Sequence, residues 1–446
     1  MLDMIGVGPF ITLPLLLGAM GGPQAMLGWI FGAVLAVADG LVWAELGAMM
    51  PEAGGTYRFL RTIYPRAGRF LSFLFVFQLM VSAPLSVASG CLGMSQYAAF
   101  LVPELGHHGA NWGRLAVSGG TFVAVSGVVL AVVLLYRNLA GLKVVSYVLW
   151  VTVMGTIGWI LVTALLHGQM RMAFTFPADA FRLTPAFFSG LALSMLIATY
   201  DFWGYYNVTF LGGEVKDAAK TVPRAILISI GLVTVLYVAM NVAILTVVPW
   251  QPMLGATGLP ARQALVSVFM QTAYGGDGGL LAGRVAAVLV MVTAFASVFS
   301  LLLGYSRIPF AAARDGNFFA GLGKLHPTRG FPVNSLLALG SGAIVFCFFR
   351  LGEVIAALVV LRIVVQFLSQ HVGVMVLRRT RPEMPRPFRM WAYPVPPILA
   401  LCGFGYILLG RVNFERELWM AAVVVLVGAL AFWVRDMKAK AATSSP

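Results

Sequence analysis

The stretch MLIATYDFWGYYNVTFLGGEVKDAAKTVPR, residues Met195–Arg224, decides how the rest of the chain reads. It begins inside an apolar run long enough to cross a bilayer, yet it carries an acid, Asp201. Tyr200, Phe202, Trp203, Gly204, Tyr205 and Tyr206 crowd around that acid. A carboxylate at membrane depth costs about 2.5–3.5 kcal/mol even on a lenient insertion scale, so a chain that keeps one has a use for it. Gly204 gives the backbone freedom to leave helical geometry at the same place. The stretch reads as a broken transmembrane helix at a solute site.

Composition agrees. The chain of 446 residues is 60% hydrophobic and only 10% charged, with mean hydropathy +0.90. That leaves too little polar surface to cover a soluble domain of this length. Apolar runs of about 20 residues recur throughout, each able to cross a hydrocarbon core of roughly 30 Å. A β-barrel would alternate in segments of about ten residues instead, so the class is an all-α polytopic membrane protein. No basic region precedes the first apolar run, Ile5–Leu17, so a signal peptide is not expected; this run reads as a first span with little or no tail before it. Cys91, Cys347 and Cys402 lie far apart in apolar runs and read as core thiols, with no disulfide or metal spacing.

Twelve spans are expected, near residues 3–20, 27–49, 68–101, 116–136, 142–166, 186–211, 224–249, 282–305, 334–350, 352–377, 392–410 and 417–434. Polar segments at 51–57, 103–112, 168–185, 250–279 and 378–387 divide them. With the N-terminus inside, 21 Lys and Arg fall on the inner side and 8 on the outer, and Arg362 lies within a span. The positive-inside rule then places both termini in the cytoplasm, in a plasma (inner) membrane. The net charge of +14 belongs to these inner segments. Nucleic-acid binding would need one clustered basic surface, and is set aside.

The first span contains Ile5-Gly6-Val7-Gly8-Pro9-Phe10. Pro9 lacks an N–H and disfavours helical geometry at Gly8. Five spans later comes the second interruption, at Asp201–Gly204. Paired interruptions at matching positions of two halves point to a transporter binding site. Five is odd, so the second half lies upside down relative to the first.

On these residues the chain resembles the amino acid–polyamine–organocation superfamily of transporters. Gly6-Val7-Gly8 is similar to that family's first-helix glycine motif. Trp43-Ala44-Glu45-Leu46-Gly47 and Pro51-Glu52-Ala53-Gly54-Gly55-Thr56-Tyr57 resemble its second-span and inner-loop signature. Gly213-Glu214-Val215-Lys216-Asp217 with Thr221-Val222-Pro223-Arg224-Ala225-Ile226 resembles the segment after its sixth helix. Ser306-Arg307 with Ala313-Arg314-Asp315-Gly316 resembles the loop after its eighth. Ala218 stands where the family often has proline, and the segment before Gly6 is shorter than usual. The resemblance implies a leucine-transporter-like five-plus-five inverted repeat with helices 1 and 6 broken, plus two C-terminal helices. The corresponding division is a first repeat over 1–166, an extracellular loop over 167–185, a second repeat over 186–378, and two helices with a short tail over 379–446.

The resemblance also implies the site. The family binds a substrate carboxylate on backbone amides of the first break and an α-amino group on carbonyls of the second. Here that gives Gly6, Val7 and Gly8 for the carboxylate, and Tyr200, Asp201, Phe202, Trp203 and Gly204 for the amine and side chain. Broken half-helices support this division independently, because their ends expose unpaired N–H and C=O groups of opposite polarity. The glycines also suit close helix packing, and the aromatics suit a core; Tyr200 and Trp203 are the first of them expected at the site, as a lid or cation–π wall. Three roles stay open for Asp201: pairing with a substrate ammonium, carrying a coupling proton, or bracing helix ends. Some proton-coupled relatives place a lysine midway along span 5, where this chain has Thr156. Thr156, Thr293, Ser297 and Ser300 are candidates for an ion site, although such hydroxyls often bond their own backbone. Asp39 and Glu45 are expected to be structural or at an inner gate. Arg362, with Gln366 and Gln370 on its face, is expected in a scaffold salt bridge or gate. The histidines read as loop or span-end residues without a proton relay.

The function expected is secondary transport of amino acids by alternating access, coupled to H+ or Na+, with no cofactor and no metal. Polyamines or cationic amino acids are the alternative substrates, using Asp201. A membrane-embedded enzyme would need a polar catalytic cluster, and a sensor would need a soluble output domain; neither is present in the sequence.

Overall fold

Thr184 and Pro185 start the helix that the decisive stretch ends. Thr184 accepts from the Phe187 N–H at 3.2 Å, and Pro185 occupies the first turn, where its missing N–H costs nothing. The helix stops at Phe202, and Gly204 follows with φ 124°, a conformation open to glycine and strained for other residues.

The computed structural model describes residues 4–6, 8–52, 54–107, 109–112, 115–137, 142–254, 262–328, 330–411 and 414–444. Its helices begin with α1 Gly8–Ile11, α2 Leu13–Met20, α3 Leu27–Met49, α4 Thr56–Ile63, α5 Gly68–Leu101 and α6 Glu104–His107. A hairpin follows, β1 Gly109–Trp112 and β2 Leu115–Ser118, antiparallel with Gly109 opposite Ser118. Next come α7 Gly119–Arg137, α8 Leu142–His167, α9 Met170–Ala173, α10 Pro185–Phe202, α11 Ala218–Leu245 and α12 Trp250–Leu254. The remainder is α13 Leu265–Tyr274, α14 Gly276–Tyr305, α15 Arg307–Arg314, α16 Val333–Phe346, α17 Leu351–Arg362, α18 Leu368–Thr380, α19 Val395–Leu409 and α20 Phe414–Ser444. A 3-10 segment, Tyr205–Glu214, continues α10 beyond its break, and a π turn, Ile363–Phe367, joins α17 to α18.

Among the described residues nine helical stretches are long and apolar enough to cross a membrane. Leu265–Tyr274, Val333–Phe346 and Val395–Leu409 are shorter apolar helices. Large apolar side chains such as Leu165, Leu409 and Leu426 are exposed on the outside of the bundle, where lipid would meet them. This is a multi-pass membrane protein. The first expected span is two short helices separated at Thr12. The segment 250–279, read from sequence as a loop, holds helix α13, which buries Leu265, Val266, Phe269 and Met270; ten residues are too few to span and suit a segment tucked against protein. Cys91 and Cys347 are buried as expected, but Cys402 is exposed, on the outer face of α19.

Two helices organise the packing. α3 lies against α10, α11 and α19; α5 lies against α7, α14, α16, α17 and α20. Glycines set the closeness of the α3 contacts. A Cβ on Gly28 would come within 2.5 Å of Ser194 Cβ, and one on Gly32 within 2.8 Å of Ala198 Cβ, both in α10. Gly47 stands similarly against Val222 of α11, at 2.9 Å. Small residues of this kind let helix backbones approach where lipid offers no competing hydrophobic drive.

Candidate functional site

Around the first break, tyrosines from neighbouring helices bond the backbone carbonyls. Tyr237 of α11 donates to the Met4 carbonyl at 2.5 Å, and Tyr97 of α5 donates to the Phe10 carbonyl at 2.8 Å. Irregular backbone is tolerated at membrane depth only when its polar groups are satisfied in this way. The second break lies beside the first. Thr12 donates to Asp201 Oδ2 at 2.5 Å, and the same carboxyl presses on Gly8, where a Cβ would come within 2.8 Å of Asp201 Cγ. An acid from the end of α10 is thereby held at the start of α1, where the helix end favours negative charge.

Between the two breaks is a cavity of about 60 Å³, small beside the roughly 300–1,000 Å³ of small-molecule sites. Gly6 and Gly8 line one side; Tyr200, Asp201, Trp203 and Gly204 line another. Ser297 of α14 joins them, its Oγ 2.8 Å from where a Cβ on Gly6 would stand. Tyr200 donates to Ser89 of α5 at 2.9 Å. Asp201 Oδ1 and Trp203 Nε1 are buried without a hydrogen-bond partner, so both can serve something held in the cavity.

Arg362 also lines the cavity. The sequence placed it in a scaffold salt bridge or gate. It donates to Tyr206 at 2.9 Å and to Ser86 at 2.8 Å, and its guanidinium lies 5.1 Å from the Tyr305 ring centre and 5.6 Å from that of Trp203. The site therefore contains a buried cation that sequence reasoning placed elsewhere. Its signal was present: a lone arginine in an apolar run must face protein or a water-filled space.

Other expected residues fall outside the cavity. Phe202 packs against Trp29 at 5.5 Å and Tyr237 at 5.9 Å. Thr156 and Thr293 donate to the carbonyls of Thr152 and Leu289 on their own helices. Ser300 is half-buried and does not line the cavity. Val7 lies outside the described residues. Glu45 is fully buried and takes both prongs of Arg378, at 2.8 and 2.5 Å, with the Met390 N–H at 2.8 Å. Asp39 takes the Tyr205 hydroxyl, and its Oδ1 lies 3.0 Å from His371 Nε2. His371 corrects the sequence reading: α18 runs on to Thr380, so this histidine is fully buried inside the bundle.

A cavity enclosed at two helix breaks in a bundle of membrane-length helices is the construction of a solute transporter. The chain belongs to the amino acid permease family, which it matches over residues 1–433. It is 26% identical to the branched-chain amino acid permease BcaP of Bacillus subtilis, over 98% of this chain and 92% of the relative. It is also 26% identical to the serine/threonine exchanger SteT of the same organism, over 91% and 87%. Identity to the Bacillus subtilis methylthioribose transporter is 24%, over 98% and 90%. These are transporters rather than enzymes.

Proposed function

We propose that this chain is a secondary transporter of amino acids that works by alternating access with ion coupling. The observation that carries the reading is the meeting of both helix breaks at one cavity holding an acid and a base. α1 begins at Gly8 and α10 ends at Phe202, so the N-terminal end of one helix and the C-terminal end of another lie beside the cavity. A zwitterion needs both, and Arg362 and Asp201 repeat the same polarity in side chains. Gly6 and Gly8 then take the carboxylate, with Val7 between them, and Tyr200, Asp201, Trp203 and Gly204 take the amine and side chain. Ser297 and Asp201 are the ion-site candidates at the cavity. The relatives' names support amino acids as the substrate class. Polyamines fit less well, because a buried Arg362 on the cavity wall repels a ligand without a carboxylate.

Around this site we assign twelve crossings in a five-plus-five inverted arrangement with two added helices, divided as 1–166, 167–185, 186–378 and 379–446. The excess of basic residues on one side supports cytoplasmic termini in a plasma (inner) membrane.

The test is uptake in proteoliposomes of a panel of labelled amino acids and polyamines, with imposed proton or sodium gradients, for wild type and Asp201→Asn. Uptake of one or more zwitterionic amino acids is expected. Movement of no panel member, under any gradient or by exchange with preloaded solute, refutes the reading. Normal transport by Asp201→Asn assigns that acid to bracing α1 alone.

A further inference from the structure

The cavity has two ends, and α14 measures the distance between them. Ser297, Leu301 and Tyr305 line it from successive turns of that helix, a row of about 12 Å at about 1.5 Å per residue. At the Ser297 end stands the first break, because a Cβ on Gly6 would come within 2.8 Å of Ser297 Oγ, and Asp201 presses on Gly8 close by. At the Tyr305 end stands Arg362, with its guanidinium 5.1 Å from the Tyr305 ring centre. The lining residues of α5 follow the same order. A Cβ on Gly90 would come within 2.7 Å of Val298, the neighbour of Ser297, and one turn away Ser86 accepts from Arg362 at 2.8 Å.

Arg362 is pinned where it stands. It is 2% exposed. Ser86 holds it from α5, and Tyr206 holds it from the 3-10 segment at 2.9 Å. The rings of Trp203 and Tyr305 flank its guanidinium at 5.6 and 5.1 Å. A side chain fixed from several elements behaves as wall and does not yield like a loose surface arginine. Between this wall and the first break the cavity is about 60 Å³. One water needs about 10–15 Å³ of such space, so there is room for about four to six groups of that size. The ammonium, α-carbon and carboxylate of an amino acid take most of it. What is left toward Arg362 is the space of a hydrogen, a methyl or a hydroxymethyl group.

We propose that Arg362 is the specificity-determining residue of this site and restricts it to amino acids with a small, uncharged side chain: glycine, alanine and serine. The inference rests on the transport reading above and names its substrate class. With carboxylate and ammonium at the first break and Asp201, the substrate's side chain points along α14 toward Arg362. A branched or aromatic side chain runs into the pinned guanidinium. A cationic one also meets a like charge, in a buried place where water screens repulsion little. An acidic one is attracted by the charge but exceeds the room. In a closely fitted pocket one methylene discriminates by roughly 10–200-fold, so leucine should lose to alanine by at least about tenfold.

The experiment has two arms on the full-length chain. In the first, proteoliposomes take up labelled L-alanine or L-leucine, against unlabelled glycine, L-alanine, L-serine, L-leucine, L-phenylalanine, L-aspartate and L-lysine as competitors. The three small ones should compete at least about tenfold more strongly than the other four. Arg362→Ala removes the wall, and leucine and phenylalanine should then gain on alanine by at least about tenfold. Arg362→Met keeps a chain of similar length without the charge; it should still reject leucine and phenylalanine, while lysine gains. Any of the four larger competitors matching alanine in wild type overturns the proposal, as does labelled leucine entering faster than alanine, or an Arg362→Ala ranking equal to that of wild type. If Arg362→Ala aggregates in size exclusion, the wild-type ranking and Arg362→Met decide. In the second arm, the same amino acids are titrated into purified protein, and the rise in melting temperature gives apparent affinities. The same order is expected, and an order that ignores side-chain size overturns the proposal. A wild type that transports none of them but binds the small ones overturns the transport reading alone; one that binds none overturns both.

Discussion

Replacing Gly8 by alanine puts one methyl group where the two helix breaks touch. The new Cβ would stand 2.8 Å from Asp201 Cγ and closer still to Oδ1, whereas ordinary contact begins at 3.4 Å. The carboxyl must retreat by about 0.6 Å at Cγ and further at its oxygens. Its other oxygen is held by Thr12 at 2.5 Å, so the retreat stretches or breaks that bond. Overpacking of a close-packed site costs about 1–3 kcal/mol, and loss of the buried hydrogen bond about 1–3 more. The middle of these ranges gives about 4 kcal/mol, against total stabilities of about 5–15. Apparent melting in detergent, followed by size exclusion, should show Gly8→Ala well below wild type, with amino acid uptake lost. The decisive comparison is the double substitution. Asp201→Ala removes the atoms that clash, so Gly8→Ala/Asp201→Ala should melt with Asp201→Ala itself, a coupling far outside additivity. If Gly8→Ala melts with wild type, or costs as much in the Asp201→Ala background as alone, the steric account of this junction is wrong.

Two further outcomes are expected at ion pairs away from the cavity. Glu45→Gln leaves the buried prongs of Arg378 without their anion, and Arg386, 3.6 Å away, loses it too; breaking a buried pair in this way costs about 3–5 kcal/mol. The melting temperature should fall, and Glu45→Gln/Arg378→Gln should recover part of the loss; an unshifted Glu45→Gln protein refutes the pairing. The Tyr57 phenol is pushed up to about 12, first by burial and then by the Asp315 carboxylate beside it, with Arg61 opposing. A raised value favours the protonated phenol in the folded state, so Tyr57 leaves stability untouched below its ordinary 10 and lowers it between 10 and about 12. Tyr57→Phe should remove that part of the alkaline loss in melting curves taken across this range, and an unchanged alkaline limb counts against it.

Both breaks were readable because they depend on local chemistry. Gly204 and Pro9 act on their own backbone, and an acid in an apolar run stands out in any window. The aromatics were harder. Trp203 and Phe202 are neighbours in sequence, yet one lines the cavity and the other packs on Trp29, because the chain turns between them. The polar pairs were out of reach. Asp39 meets His371, and Glu45 meets Arg378, across separations of more than 300 residues, which no periodicity records. Hydropathy also hid His371. The basic residues after it signalled a span end, while the helix continues to Thr380. In α13, ten residues were too few to register as a crossing, and only packing reveals that half of them are buried. The π turn left no trace either, because it has no residue signature.

The glycines of α3 have a consequence for motion. A helix seated with its backbone against Ser194 and Ala198 on one neighbour and Val222 on another can neither roll nor slide on them without collision. α3 is thereby held in register with α10 and α11. Where α10 ends the constraint lifts: Gly204, with φ 124°, has backbone freedom that no other residue type would have there. That freedom lies on the cavity wall, next to the helices whose contacts allow least.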